Sequence, residues 1–143
     1  MTASYLDSSV ALRIVLGHSP AAAHWFEQVT RAAEPVLSSR LLRTEMTRAL
    51  RRLGLPLERR EVVLDYVAVV PLDHAVLQEA EAIVPHVKTL DAIHLASALR
   101  SGIDDIVICT HDVTMATTAR HLGLATVDPV TDDPVRPTRP PAR

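Results

Sequence analysis

The sequence is short of most residues that would announce a disulfide scaffold, a base-stacking surface or a membrane segment. Its single cysteine, Cys109, excludes an internal disulfide and a cysteine-based zinc site. Cys109 falls inside an apolar run and reads as a core residue. Aromatic residues make up only 3%, too few for a protein that stacks single-stranded bases on aromatic platforms. Any nucleic-acid contact would have to rest on arginine and phosphate. Lys88 is the only lysine, and Lys+Arg 15 against Asp+Glu 17 leaves a net charge of −2. A basic patch, if there is one, must be local. No apolar run approaches membrane-spanning length. The opening Met-Thr-Ala-Ser-Tyr-Leu-Asp lacks a basic stretch followed by an apolar one, so no signal peptide and a cytoplasmic location are expected.

What is present fits a globular α/β chain. Its 143 residues, 48% of them hydrophobic, suffice for one domain with a sizeable core. Short apolar strands are expected at Ala3–Leu6, Val36–Ser38, Val67–Val70, Asp105–Thr110 and Ala125–Val127. Helices are expected at Val10–Leu16, from Pro20 to about Ala33, from Ser39 to Leu53, and at Leu57–Tyr66. Further helices are expected from about His74 to Val84, from a Thr89 cap to near Gly102, and at Val113–Leu122. All four glycines fall just past an expected helix, where a left-handed residue is wanted. Continuous apolar strands alternating with helices indicate a parallel sheet covered on both faces. After Asp128 five of the ten prolines crowd into Pro129–Pro141, with Arg136, Arg139 and Arg143 among them. The chain therefore divides into a folded region, 1–127, and a Pro/Arg-rich tail, 128–143, expected to be extended and mobile.

The most informative stretch is Lys88–Leu99, an apolar helix with one carboxylate, Asp91, in its first turn. An unpaired buried carboxylate costs several kcal/mol or shifts its pKa, so Asp91 must be exposed, paired or metal-bound. Three other acids sit where an open parallel sheet places its ligands, beyond the carboxyl ends of the strands. Asp7 ends the first strand, Asp112 follows the strand at Ile106–Thr110, and Glu45 lies in the first two turns of the helix after the second strand. If these four meet, each pair about 4 Å apart repels by roughly 4 kcal/mol at an effective dielectric near 20. A stability of about 5–15 kcal/mol cannot absorb several such pairs, so protons or a divalent cation must neutralise them. All-oxygen ligands favour Mg²⁺ or Mn²⁺ over zinc. Such a site can activate water against a phosphodiester and stabilise the leaving oxygen.

Each acid also has a plainer reading. Asp7 could be a turn residue, Glu45 a surface partner of Arg48, and Asp112 the cap of its helix. Asp104 and Asp105 precede a strand and belong at the opposite edge, while Asp65 and Asp73 read as surface and cap residues. His94 and His111 adjoin Asp91 and Asp112 and could touch substrate, but packing or surface roles are the simpler expectation. Arginines cluster around the Glu45 helix, with Arg40, Arg43 and Arg51 roughly on one face, where they could meet a nucleic-acid backbone.

The ordered set resembles the PIN-domain nucleases, and most closely the VapC toxins of bacterial toxin–antitoxin pairs. The match rests on Tyr5-Leu6-Asp7-Ser8-Ser9, Thr44-Glu45-Met46, Leu90 to Ala98, and Thr110-His111-Asp112 followed by Met115-Ala116, and it covers residues 1 to about 127. The resemblance implies a three-layer α/β/α fold around a parallel sheet. It also implies Mg²⁺- or Mn²⁺-dependent endoribonuclease activity, a homodimer, and inhibition by a VapB-type antitoxin. Asp7, Glu45, Asp91 and Asp112 match the family's acidic quartet, with Asp112 the least dependable, and Ser8 and Thr110 match supporting polar positions. On this reading Asp7, Glu45 and Asp91 hold one or two cations, Asp112 completes a second site or orients water, and water attacks an RNA phosphodiester in line. An apolar groove near Trp25 and Phe26 would dock the antitoxin, whose cationic side chain would replace the metal's charge among the acids.

Three other readings fit the sequence less well. A haloacid-dehalogenase-like phosphatase would want a second Asp where Ser9 stands. A receiver-like domain would want a lysine at the last strand end, and none is there. The third is a PIN fold that binds without catalysis, against which four retained acids argue.

Overall fold

The computed structural model describes residues 2–131. Its centre is β1 (Ala3–Leu6), whose residues alternate between the two faces of the sheet: Tyr5 joins one apolar cluster and Leu6 the other. β1 pairs in parallel with β2 (Val36–Ser39) on one side and β4 (Ile106–Cys109) on the other. β3 (Ala68–Val70) lies outside β2, and β5 (Ala125–Val127) outside β4. The sheet is all parallel, in the order β3-β2-β1-β4-β5. The chain builds outward from β1 to β3, crosses back, and builds outward again through β4. The crevice where the direction reverses therefore opens beyond the carboxyl ends of β1 and β4.

Helices cover both faces. α1 (Ser8–Val15), α2 (Pro20–Arg31), α3 (Arg40–Leu53) and the single turn α4 (Glu61–Leu64) contribute Val10, Ile14, Phe26, Met46, Leu50 and Val63 to one core. α6 (Thr89–Leu99) and α7 (Val113–His121) pack Leu95, Ala98, Met115 and Ala119 against Tyr5 and Ile108 on the other side. α5 (His74–Glu81) packs on α6 through Val76, Ile93 and Ala96. The stretch Ala92–Ala98 is buried throughout, so α6 is a central helix and not a surface one.

Several element ends depart from the sequence expectation for local reasons. Ser39 and Asp73 cap their helices as expected, with side-chain oxygens accepting from Leu41 and Val76, and Ser19 caps α2 by accepting from Ala22. Thr89 does not cap α6. It is the first helical residue, and Lys88 holds the cap position without a side-chain bond. α5 stops at Glu81 instead of Val84, with Ala82 as its C-cap. The expected helix over 57–66 splits into a 3-10 turn, Leu57–Arg60, and α4. Gly54 ends α3 at φ +65°, a left-handed cap that a side chain would strain.

The folded region also continues past residue 127. Asp128 accepts from Val130 N–H at 2.9 Å, its carbonyl accepts from the Thr131 hydroxyl at 2.8 Å, and Val130 packs on the first core. Residues 128–131 thus form an anchored turn. The remainder of the expected tail, with its arginines, lies outside the described residues.

Candidate metal-dependent active site

Asp7 is placed by β1. Its backbone N–H still pairs with Cys109 O across the β1–β4 crevice at 3.0 Å, and its carbonyl accepts the first bonds of α1. The side chain is 2% exposed. One oxygen, Oδ2, accepts from Ser9 Oγ and from Thr110 Oγ1, both at 2.8 Å. The other, Oδ1, is the one buried side-chain oxygen among the described residues that has no partner. A buried acceptor left unpaired costs about 1–3 kcal/mol, and more when charged. Such an atom calls for a cation, a proton or water.

The supporting hydroxyl is not the expected one. Ser8 makes no side-chain bond to Asp7 among the described residues, whereas Ser9 bonds Asp7 and also accepts from His111 N–H at 3.0 Å. Thr110 donates to Asp7 and accepts from Asp112 N–H at 3.1 Å. Ser9 and Thr110 thereby tie the ends of β1 and β4 together over the crevice.

Asp91 stands in the first turn of α6, half-buried. Its pKa is pushed up to about 6, first by burial, then by the charges of Asp7 and Asp112, with Glu45 adding a smaller push and His94 opposing. The charges of Asp7, Asp112 and Glu45 therefore all reach Asp91. Asp112 also follows its plainer reading, capping α7 by accepting from Met115 N–H at 3.0 Å through Oδ1. Glu45 is not a surface partner of Arg48. It reaches inward from α3, and its Oε1 lies 2.5 Å from His94 Nε2.

His94 is fully buried, and Tyr5 Oη lies 2.8 Å from its Nδ1. Burial pulls its pKa down, but the bond to Glu45 and the charges of Glu45, Asp7 and Asp91 outweigh it and hold His94 above its ordinary value. Tyr5 is raised chiefly by burial and stays protonated. Sequence reasoning gave His94 a packing role and did not single out Tyr5. The signal was there: Tyr5 precedes Asp7 by two on a strand and His94 follows Asp91 by three on a helix, so each shares a face with an acid. His111 turns away from the acids and holds Asp128 Oδ2 at 2.8 Å through Nδ1.

Among the described residues, no three Asp, Glu, His or Cys side chains are already gathered as a metal cage. The chemistry of the donors nevertheless fits a hard divalent cation. They are carboxylates, one buried oxygen is orphaned, and the others raise Asp91 by their charge.

The arginines divide. The groove beside Glu45 is bordered by Leu12, Ala49, Arg48, Arg51 and Arg52. Arg51 was among those expected near the site, but Arg48 and Arg52 were not. At 100° per residue, Arg48 and Arg52 fall on the Glu45 side of α3, while Arg40 and Arg43 fall well round from it. Arg40 instead bonds Thr44 at 3.4 Å. The expected groove at Trp25 and Phe26 is not an open one. Phe26 is 5% exposed and stacks edge-on against Tyr66 at 6.0 Å, so only Trp25 keeps some surface.

Comparison with known proteins bears on the same region. The PIN domain family model matches residues 4–121. Ribonuclease VapC46 of Mycobacterium tuberculosis is 35% identical over 131 residues, covering 90% of this chain and 99% of that protein. Ribonuclease VapC47 of the same organism is 29% identical over 130 residues, covering 87% and 96%. Among solved structures, VapBC2 from Rickettsia felis bound to a DNA fragment from its promoter contains a chain similar in fold, with TM-score 0.67 and 8% identity. That match covers 89% of this chain and 98% of the other.

Proposed function

The chain belongs to the PIN-domain family, and from that premise we propose that it is a VapC-type endoribonuclease toxin restrained by a VapB-type antitoxin. Asp7, with its buried unpaired Oδ1 at the β1–β4 crevice beside an Asp91 raised by burial and by the Asp7 charge, is the observation that carries the reading. Asp7, Glu45 and Asp91 would hold a divalent cation, Mg²⁺ or Mn²⁺, with Asp112 beside them. When bound, the ion supplies an activated water and charge stabilisation at the phosphorus. The chain's own part is positioning. Ser9 and Thr110 fix Asp7, the cap bond to Met115 fixes one oxygen of Asp112, and Asp91 stays half-buried within reach of both charges. Arg48, Arg51 and Arg52 border the approach beside Glu45 and would neutralise flanking phosphates.

The relatives' names support RNA as substrate and an antitoxin as partner; a homodimer as the working form and the cytoplasm as location belong to the same proposal. Among the described residues no helix is long and apolar enough to cross a membrane. A binding-only reading draws on two observations: Glu45 is tied to His94, and Asp112 is spent in part on its helix cap. A phosphatase reading has less behind it, since Ser9 supplies a hydroxyl to Asp7 where a second carboxylate was needed.

One assay separates these readings. Purified protein is incubated with RNA and Mg²⁺ or Mn²⁺, beside Asp7→Asn and Asp91→Asn. Internal cleavage that needs the metal and disappears in both variants supports the nuclease. RNA left whole by the wild type under every metal condition refutes it in favour of binding alone, and phosphate released from a small monoester instead favours the phosphatase.

A further inference from the structure

Tyr5, His94 and Glu45 form a chain of hydrogen bonds that the acid quartet does not account for. The imidazole is fully buried, with Tyr5 Oη at 2.8 Å on Nδ1 and Glu45 Oε1 at 2.5 Å on Nε2. The tyrosine and imidazole rings meet edge-on at 5.8 Å. If packing were its only purpose, an apolar side chain would fill this place without two buried ring nitrogens to satisfy.

The placement of the three groups is ordered. Tyr5 lies on β1 two residues before Asp7, and the backbone remains extended through Asp7. His94 lies on α6 one turn after Asp91. Glu45 comes from α3. The elements that carry three of the acids are therefore joined beneath those acids by one buried relay.

The relay delivers the same thing to Glu45 in either protonation state of His94. With a neutral ring, the Tyr5 hydroxyl donates to Nδ1, which leaves the proton on Nε2 and donates it to Glu45. With a charged ring, Nδ1–H donates to the Tyr5 oxygen and Nε2–H still donates to Glu45. A hydroxyl can play both parts; no other arrangement of two groups here needs to change.

We propose that Tyr5 and His94 are a positioning pair, which holds Glu45 by Oε1 so that Oε2 is presented to a divalent cation at the acidic edge. This rests on the reading of Asp7, Glu45 and Asp91 as cation-holding residues. Partners that orient a metal-holding side chain typically change metal affinity or activity by about 10–100-fold when removed.

The test uses the full chain and the metal alone. Mn²⁺ affinity of metal-free protein is measured by titration calorimetry for wild type, Tyr5→Phe, His94→Leu, His94→Gln and Glu45→Gln, and for His94→Leu in the Glu45→Gln background. RNA cleavage is followed alongside, with kcat and KM separated. His94→Leu is expected to weaken Mn²⁺ binding about 10-fold or more and to lower kcat more than it moves KM. His94→Gln keeps an N–H aimed at Glu45 and recovers most of the loss, and Tyr5→Phe falls between. Once Glu45 is Gln, His94→Leu should cost nothing further.

The pairing is overturned if Glu45→Gln weakens Mn²⁺ binding while Tyr5→Phe and His94→Gln both match His94→Leu in having no effect. It is equally overturned if the His94→Leu loss persists in full without the Glu45 carboxylate, which would mark a purely structural role. Should His94→Leu not fold, Tyr5→Phe decides: unchanged Mn²⁺ affinity refutes the relay and a loss supports it. If Glu45→Gln itself leaves Mn²⁺ binding intact, Glu45 lies outside the site and both readings fall together.

Discussion

Removing one of the crowded charges should stabilise the metal-free protein, and Asp91 is the residue on which to try it. Its pKa is raised from 3.8 to about 6, by burial and by Asp7 and Asp112. A shift of that size corresponds to about 3 kcal/mol at 1.36 kcal/mol per unit. Asp91 is only half-buried, so solvent screening reduces this to about 1–2 kcal/mol. The sign follows from proton counting. Between about pH 4 and 6 the folded chain binds more protons at Asp91 than the unfolded chain does, so metal-free stability falls as pH rises through that window and levels off above it. Asp91→Asn removes the charge and therefore the fall. At pH 7, without metal, the variant should melt about 3–6 °C above wild type, and the advantage should fade towards pH 4. Saturating Mg²⁺ should stabilise the wild type by mass action and leave the variant nearly unmoved, narrowing or reversing the order. Thermal melts at pH 4, 5.5 and 7, with chelator and with Mg²⁺, measure all of this. A metal-free Asp91→Asn protein that melts below wild type at pH 7, or a gain independent of pH, would refute the reasoning.

Other perturbations test separate parts of the account. Thr110→Val takes a charge-assisted hydrogen bond from Asp7 and should cost about 1.5–3 kcal/mol in urea unfolding; a change below 0.5 kcal/mol, by the usual range for such bonds, would show Thr110 to be dispensable. Gly54→Ala meets no atom within 4 Å, so only the left-handed backbone is penalised and the cost should be about 1–2 kcal/mol. Arg52→Gln should weaken RNA binding and reduce the log-affinity against log-salt slope by about 0.7, leaving Mn²⁺ affinity unchanged. Arg43→Gln should leave the salt slope as it is, because Arg43 does not border the groove beside Glu45.

Much of the placement was legible from residue type and position. Asp7 and Asp112 follow apolar strands, and in a parallel sheet that alone puts them at the ligand edge. Asp91 was conspicuous as the one acid in an apolar helix. Caps such as Ser39 and Asp73 act through neighbours two or three residues away, so a local reading reaches them. What was missed depends on contacts distant in sequence. The choice of Ser9 over Ser8 turns on where α1 begins its first turn beside Thr110, 101 residues on. The Tyr5–His94 bond spans 89 residues and the His94–Glu45 bond 49, and neither spacing has a local signature. Phe26 was expected to line a groove, but it is buried in the first core and Tyr66 packs edge-on against its ring, a contact 40 residues away in sequence that has no local signature. The anchored turn at Asp128 was hidden by the prolines that follow it, although an Asp whose carboxylate accepts from the N–H two residues on is an ordinary turn device.

The account stands on a divalent cation resolving the charge conflict at the β1–β4 crevice. The most direct measurement is anomalous scattering at the manganese edge from crystals of the wild-type protein grown with Mn²⁺. The account predicts a peak bonded to Asp7 Oδ1 and shared with Asp91, absent in crystals of Asp7→Asn. Manganese bound elsewhere, or an Asp7 Oδ1 that remains unliganded while Mn²⁺ saturates the protein, would contradict it.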